Sequence, residues 1–260
     1  MSKLLVRWCT TLGIAGSAFL GSAIAGNMAA LALPEAEVLQ KLNPVPVFTI
    51  ADEQGAPLVA SGEGNDKGKV AGVFISQNDA NQFVNQLKTK NPELASKVKV
   101  VPVSLGEVHK LGQSSQSQEN ALEFHYVPQE EAVNSAKTIG EANKQPYQGG
   151  VPLFVAKGGE DKGYLTIEKD SQQVIPFFFD KQQLEEMVAK FKQQKPDVAA
   201  SVNIEVVPLE GVIQTLETSE DKMLEKIVLV PSAESIEFLQ NASVQPAPSA
   251  APAPEAVPAK

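Results

Sequence analysis

One stretch of this chain occurs twice, and that repetition limits the folds the chain can adopt. Residues 73–111 and residues 177–215 share one pattern at a spacing of 104 residues. The matched positions include Phe74 with Phe178, Val84 with Val188, Leu87 with Phe191, Pro92 with Pro196 and Val100 with Ile204. Because two copies are too few for a solenoid, we expect a duplicated unit whose halves pack against each other.

Each copy contains the signals of a strand, a helix and a second strand. The apolar runs Val70–Ile75 and Val174–Phe179 are typical of buried strands. Ser76 and Asp180 follow as helix N-caps. The apolar positions then recur at i, i+3, i+4 and i+7, which predicts one helix face against a sheet: Ala80, Phe83, Val84 and Leu87 in the first copy, and Leu184, Met187, Val188 and Phe191 in the second.

The remaining elements complete two halves of similar order. Strands are predicted at Val98–Val103 and Val202–Val207, and Ser104 with Glu107 forms a capping box that opens a short helix. We therefore predict an α+β fold of mixed or largely antiparallel sheets covered by helices. The first half is expected at residues 33–145 and the second at 146–243, related by a pseudo-twofold axis.

The two ends of the chain differ in composition from these halves. Residues 1–32 combine Lys3 and Arg7 with a Gly/Ala-rich apolar run, as in a secretory signal peptide cleaved after Ala25 or Ala32. An uncleaved membrane anchor is the alternative, although the run is shorter than the ~20 residues of a spanning helix. Residues 244–260 are rich in proline and alanine and predict a disordered tail or, alternatively, a spacer to a partner.

Charge and cysteine content narrow the possible functions. Loss of residues 1–32 removes two of the 22 basic residues and none of the 31 acidic ones, which makes the net charge −11. It also removes Cys9 and Arg7, the only cysteine and the only arginine. The remaining chain has no thiol chemistry, and its acidity disfavours nucleic acid as a partner.

Residue patterns for catalysis or cofactor binding are weak. His109 and His125 have no neighbour at metal-ligand spacing, so we expect structural roles for both. Glu63, Asn65 and Asp66 are calcium ligand types, but they lack the spacing of a calcium loop and favour a solvated hairpin. The sequence thus predicts no metal, no cofactor and no enzymatic activity.

The most apolar window of the chain after residue 32 is the remaining candidate site. In a strand, Phe177 and Phe179 share one face, and Phe178 lies on the other. We expect Ile175, Phe177, Phe178 and Phe179, with Phe74 from the first copy, to flank a groove for apolar client segments. The alternative is that helices or loops cover both faces and that the window is core.

The blocks PVF…GVFIS and VPLFV…PFFFD and the strands VPVSL and VVPLEGV, in a duplicated and exported chain, resemble the Tic22 family. These are intermembrane-space components of the chloroplast inner-envelope translocon with cyanobacterial relatives, and the resemblance covers residues of about 35 to 240. It implies a non-enzymatic, chaperone-like protein with apolar pockets that binds preproteins or outer-membrane protein precursors. The bacterial-style leader indicates the cyanobacterial side, with a periplasmic or thylakoid-lumen location.

These observations lead to a ranked set of functions. The leading hypothesis is a holdase or transport factor for unfolded outer-membrane proteins, in contact with their assembly machinery and without stable membrane insertion after leader cleavage. The runner-up is a protein that binds a small apolar ligand or lipid between the halves. A hydrolase whose carboxylates are assembled only by the fold is a remote third option.

Overall fold

The computed structural model describes residues 6–8, 33–61, 69–115, 122–159, 162–194 and 201–244. Most of the predicted signal peptide, the calcium candidate at residues 63–66 and the Pro/Ala tail beyond Val244 lie outside the described residues.

The first half begins with a helix and continues with strands and helices in near alternation. Its elements, after strand β1 at Val6–Trp8, are α1 (Glu35–Leu42), β2 (Pro46–Asp52), β3 (Val59–Ser61), β4 (Lys69–Phe74), α2 (Gln77–Lys90), α3 (Pro92–Ala95), β5 (Val98–Ser104), α4 (Leu105–Ser115), β6 (Leu122–Val127) and α5 (Glu130–Ala142).

The second half has a similar order, with no described counterpart of α1 or α3 and with a 3₁₀ helix that the described residues of the first half lack. Its elements are β7 (Pro152–Gly158), β8 (Gly163–Lys169), β9 (Gln172–Phe178), α6 (Lys181–Gln194), β10 (Asn203–Pro208), α7 (Leu209–Thr218), a 3₁₀ helix (Lys222–Lys226), β11 (Ile227–Val230) and α8 (Ala233–Val244).

Two mixed sheets carry the fold. In the first sheet, β4 pairs with β6 in parallel and with β2 and β3 antiparallel, and β2 pairs with β5 antiparallel. In the second sheet, β9 pairs with β11 in parallel and with β7 and β8 antiparallel, and β7 pairs with β10 antiparallel. Residues 6–8, within the predicted leader, form an antiparallel edge strand beside β8. The predicted α+β class with mixed sheets and helices is confirmed.

Each half supplies one helix that covers the sheet of the other half. Ala132 and Ala136 of α5 pack in one apolar cluster with Phe154, Phe178 and Phe191 of the second half. In return, Phe238 of α8 stacks edge-to-face on Phe48 of β2, with ring centroids 5.3 Å apart. A third cluster joins the two sheets centrally and contains Val73, Leu105, Leu153, Ile175 and Phe177. The two halves therefore share all their cores.

The linker between the halves is held closely against the fold. The Glu210 carboxylate accepts the backbone N–H of Val151 at 3.1 Å, and the Asn143 side chain donates to the carbonyl of Ile204 at 3.0 Å. A Cβ at Gly140 would come within 2.7 Å of the Gln145 carbonyl, so glycine is required for the linker to pass this close. This packing fixes the path of the chain from one half to the other.

Most elements lie where the sequence predicts them, and capping explains several boundaries. Ser76 Oγ accepts the N–H of Asp79, and Ser104 and Glu107 form the predicted capping box at the start of α4. Four features were not predicted: strand β1, the short helix α3, the 3₁₀ helix, and the extension of α4 to Ser115, since the polar, Ser/Gln-rich residues 112–119 predict a loop.

Candidate binding grooves

The structure places the predicted groove residues of β9 inside the core. Ile175, Phe177 and Phe179 are 1–4% exposed in the central cluster, and Phe178 is buried against α5 and α6 on the opposite face. Because both faces of β9 are covered, the expected open groove along this window is wrong for this structure. Phe74 is also buried, but its ring lines a different opening, described next.

An apolar groove of about 590 Å³ lies on the α2 face of the first sheet. We call it the α2-side groove, and its walls include Val59, Val70, Phe74, Phe83, Leu94 and Val127. The ring of Phe83 meets that of Phe74 at a centroid distance of 5.7 Å, yet 42% of Phe83 stays exposed. A large apolar side chain thus remains open to solvent in the wall of a preformed cavity.

Phe83 corrects the prediction that the whole apolar stripe of α2 packs inward. Ala80 and Val84 are buried as expected, but Phe83 is exposed and Leu87 is only partly buried. All four matched positions of α6 are buried. The described part of β3 has three residues, whereas β8 has seven and contributes Leu165 and Ile167 to the core beneath α6.

A second apolar groove of about 680 Å³ lies on the opposite face of the same sheet. This α4-side groove has walls that include Pro57, Val103, Val108, Leu111, Leu122 and Phe124. Leu111 of α4 is 57% exposed there.

A smaller and more polar opening of about 500 Å³ adjoins the outer side of β6. We call it the edge pocket, and it is lined in part by His109, Gln113, Phe124, Tyr126 and Glu217. His109 Nε2 lies 2.9 Å from Glu217 Oε1, and Gln113 donates to the same oxygen, so these groups join α4 to α7. Burial, and secondarily the charge of Glu210, raises the pKa of Tyr126 to about 12, so this phenol is neutral at ordinary pH.

The N-termini of α2, α5 and α8 bring several carboxylates together. The backbone N–H of Asn78 donates to Glu234 at 2.8 Å, and the Gln129 side chain donates to the same carboxylate at 3.4 Å. Burial, followed by the charges of Glu234, Glu130 and Glu131, raises the pKa of Asp79. Acidic residues are stabilised at helix N-termini, which accounts for the cluster as a structural junction.

The described residues contain no group of three or more His, Cys, Asp or Glu side chains placed to hold a metal ion. Within the same residues, no helix combines the length and the apolar content that a membrane crossing requires.

Exposed apolar side chains are concentrated at the two grooves. Four large hydrophobic residues of the described part are exposed, namely Val59, Phe83, Leu111 and Leu239. The first three line the grooves, and Leu239 lies on α8. The grooves of the first half, rather than the aromatic window of the second, are thus the candidate binding surface.

Comparison with known proteins agrees with this architecture. A model of the Tic22-like family matches residues 15–241. The chain is 25% identical over 195 residues to Protein TIC 22, chloroplastic, of Pisum sativum, which spans 75% of this chain and 72% of that protein. It is 24% identical over 190 residues to the Arabidopsis thaliana protein of the same name, covering 73% of this chain and 65% of that protein.

Two solved structures share the fold. Anabaena Tic22, a protein described with protein transport, has a TM-score of 0.73 and 28% identity and covers 83% of this chain and 99% of its own. Tic22 from Plasmodium falciparum has a TM-score of 0.64 at 20% identity, covering 80% and 98%, which shows the fold alone. Because the family model spans most of the sequence, this chain belongs to the Tic22-like family.

Proposed function

We propose that this chain is an exported, non-enzymatic protein-transport factor that holds extended apolar segments of unfolded precursor proteins. The observation that carries the proposal is the clustering of Val59, Phe83 and Leu111 in two preformed grooves on opposite faces of one sheet. Exposed apolar side chains that group in a preformed groove mark binding sites for other molecules. The relationship to Anabaena Tic22, described with protein transport, supports the same role.

Binding in these grooves is driven by apolar burial and tolerates many client sequences. Each Å² of apolar surface removed from water contributes about 25 cal/mol before the client's loss of conformational freedom is subtracted. Leu111 is the last large apolar side chain of α4, and Phe83 lies partly exposed in the wall of the α2-side groove, so both are placed to contact a client. The net charge of −11 after loss of residues 1–32 keeps a protein with such surfaces soluble.

The proposed location and clients follow from the leader and from the relatives. Residues 1–32 have the composition of a secretory leader, and on this basis we assign the mature chain to the periplasm with outer-membrane protein precursors as clients. The Pisum and Arabidopsis relatives are chloroplastic.

We also infer that the two halves are copies of one unit. Both halves run strand–strand–strand–helix–strand–helix–strand–helix, and each places its last helix on the sheet of the other. In this interpretation the client grooves arose in one copy only, because the second copy fills the matching space with Leu165, Met187 and Phe191.

The direct test compares two equally exposed residues inside and outside the grooves. Phe83 is 42% exposed and Leu239 is 41% exposed, so replacing each by serine changes surface hydrophobicity to a similar degree. Burial of a whole phenylalanine contributes about 1.5–3 kcal/mol, but only 42% of Phe83 is still exposed, so Phe83→Ser should weaken client binding by about three- to eightfold. The measurement is suppression of light scattering by an unfolded β-barrel precursor, with circular dichroism as the check on folding.

Leu239→Ser is the matched control and should suppress aggregation like the unaltered protein. Equal suppression by both folded variants and the unaltered protein would remove the grooves as the client site. Equal loss in both would indicate nonspecific surface hydrophobicity instead of a site.

A small apolar ligand or lipid is the second candidate, because the α2-side groove of about 590 Å³ has the size of a ligand pocket. Saturable binding of a fatty acid that Phe83→Ser abolishes, together with unchanged precursor aggregation, would favour this function over the first.

A further inference from the structure

The outer edge of β6 lacks a partner strand in the described part of the molecule. β6 pairs with β4 along all six of its residues, and no described strand lies on its other side. Proteins normally protect such edges with lysine, proline or a bulge. Between Leu122 and Val127 there is neither lysine nor proline.

Two hydrogen bonds establish which backbone groups of β6 point outward. Ile75 N–H donates to the carbonyl of Val127 at 3.1 Å, so Val127 faces β4. The Ser115 hydroxyl donates from outside to the carbonyl of Leu122 at 2.7 Å. Since the direction alternates along a strand, Leu122, Phe124 and Tyr126 present their N–H and C=O groups outward. Ser115 covers one of these groups, and no described residue hydrogen-bonds the outward groups of Phe124 or Tyr126.

The matching strand of the second half, β11, has a lysine at one end of its outer edge. By the same alternation, Val230 faces β9 because it accepts the N–H of Phe179, and Ile227 therefore faces outward. Lys41 of α1 donates to the carbonyls of Ile227 and Glu225 at 3.0 Å and 2.7 Å. Burial of this ammonium lowers the pKa of Lys41. A charged donor thus lies at the outer edge of β11, whereas the outward groups of Phe124 and Tyr126 in β6 have no hydrogen-bond partner among the described residues.

The two faces beside the β6 edge differ in polarity. His125 and Val127 point to the α2-side groove, whose walls are almost entirely apolar. Leu122, Phe124 and Tyr126 point to the opposite face, where the edge pocket adds His109, Gln113 and Glu217. A strand placed beside β6 would direct alternate side chains to these two environments, because successive residues of a strand point to opposite faces.

We propose that β6 takes up an extended client segment as an added β-strand, with apolar side chains in the α2-side groove and polar or basic ones in the edge pocket. This inference rests on the proposed function and specifies its client class. Glu217 lines the edge pocket, and no described lysine or arginine does, which favours a basic group there. Segments of strictly alternating polarity are the sequence signature of transmembrane β-barrel strands. Strand addition of this kind gives affinity through the backbone and selectivity through alternate side chains.

The test uses the full chain and a labelled peptide of about ten residues, the length of a barrel strand, in which valine and phenylalanine alternate with lysine and threonine. Fluorescence anisotropy should show saturable binding. A peptide of the same composition with its apolar residues contiguous should bind at least about tenfold more weakly. In such a peptide, apolar and polar side chains cannot be directed to opposite faces of the strand.

Two N-methylated peptides distinguish strand addition from simple apolar contact. One carries methyl groups on the amides of its apolar residues, and the other on the amides of its polar residues. Only one of these sets faces β6, so one peptide should lose about tenfold or more in affinity while the other binds like the parent. Weaker binding of the peptide methylated at its polar residues indicates an antiparallel strand, because hydrogen-bonded antiparallel partners share a face. Weaker binding of the peptide methylated at its apolar residues indicates a parallel strand.

Equal binding by both methylated peptides, or by the contiguous peptide and the parent, would overturn strand addition. Absence of parent-peptide binding would overturn it as well. The proposed function is tested independently of strand addition. Its test measures suppression of precursor aggregation and the loss of that suppression in Phe83→Ser, without these peptides.

Discussion

At the scale of single residues, Asp79 shows how the junction of helices sets a pH dependence. Its folded pKa lies above the ordinary value of 3.8 because it is partly buried and faces Glu234, Glu130 and Glu131. Between these two pKa values the folded chain binds the proton more tightly than the unfolded chain. The contribution of Asp79 to stability is therefore present at low pH and is lost as the pH rises through the folded pKa.

Asp79→Asn should accordingly raise the thermal midpoint at about pH 7, and the difference from the unaltered protein should vanish below about pH 4. Thermal unfolding followed by circular dichroism across this range gives the comparison. A lower midpoint at neutral pH would show that the favourable interaction of the carboxylate with the N-terminus of α2 outweighs the repulsion.

The aromatic residues show how far the sequence predicts the site. Alternation correctly puts Phe177 and Phe179 on one face of β9 and Phe178 on the other. Alternation does not indicate whether other elements pack on a face of the strand. Phe178 is buried in part by α5, which belongs to the other half of the chain. The prediction that Phe83 is buried is wrong for the opposite reason. Its position in the helical repeat is that of a core residue, but the described part of β3 beside it has only three residues. Burial here depends on distant segments that periodicity does not report.

At the scale of elements, α2 and α6 are matched helices with different packing. Phe191 of α6 is 1% exposed, whereas its counterpart Leu87 of α2 is only partly buried. From the sequence, Leu87→Ala and Phe191→Ala are expected to cause similar losses of stability. The structure predicts a larger loss for Phe191→Ala. Boundaries of these elements were predictable because caps such as Ser104 with Glu107 act locally.

Phe191→Ala should lower the free energy of unfolding by about 3–5 kcal/mol, as for other buried phenylalanines. Leu87→Ala should lower it by about 1 kcal/mol, because partial exposure reduces the transfer term. Urea unfolding with a common slope would measure both values. Equal losses would mean that α2 is as tightly packed as α6 in solution.

At the scale of the whole molecule, the exchange of α5 and α8 makes the halves mutually dependent. The described part of the second sheet has α5 of the first half among its covering helices, and Phe238 of α8 returns to Phe48 in the first sheet. A repeat predicted from sequence implies packing between halves, but not that each half completes the other. Local periodicity places both helices correctly and contains no information on which sheet each one covers.

The exchange predicts one cooperative unfolding transition and the failure of each half to fold alone. The fragment of residues 33–145 would lack the contact of Phe238 with Phe48 and would expose the apolar face of α5. The fragment of residues 146–243 would lack α5, which covers Phe154 and Phe178. Both fragments should show reduced helical circular dichroism and bind a hydrophobic dye, and mixing them should restore the native signal, since association supplies each missing helix. Residues 33–243 together serve as the control for removal of the two ends. Independent folding of either fragment, or two separate transitions in the intact chain, would show that the shared cores contribute little and that each sheet is stable without the helix it receives.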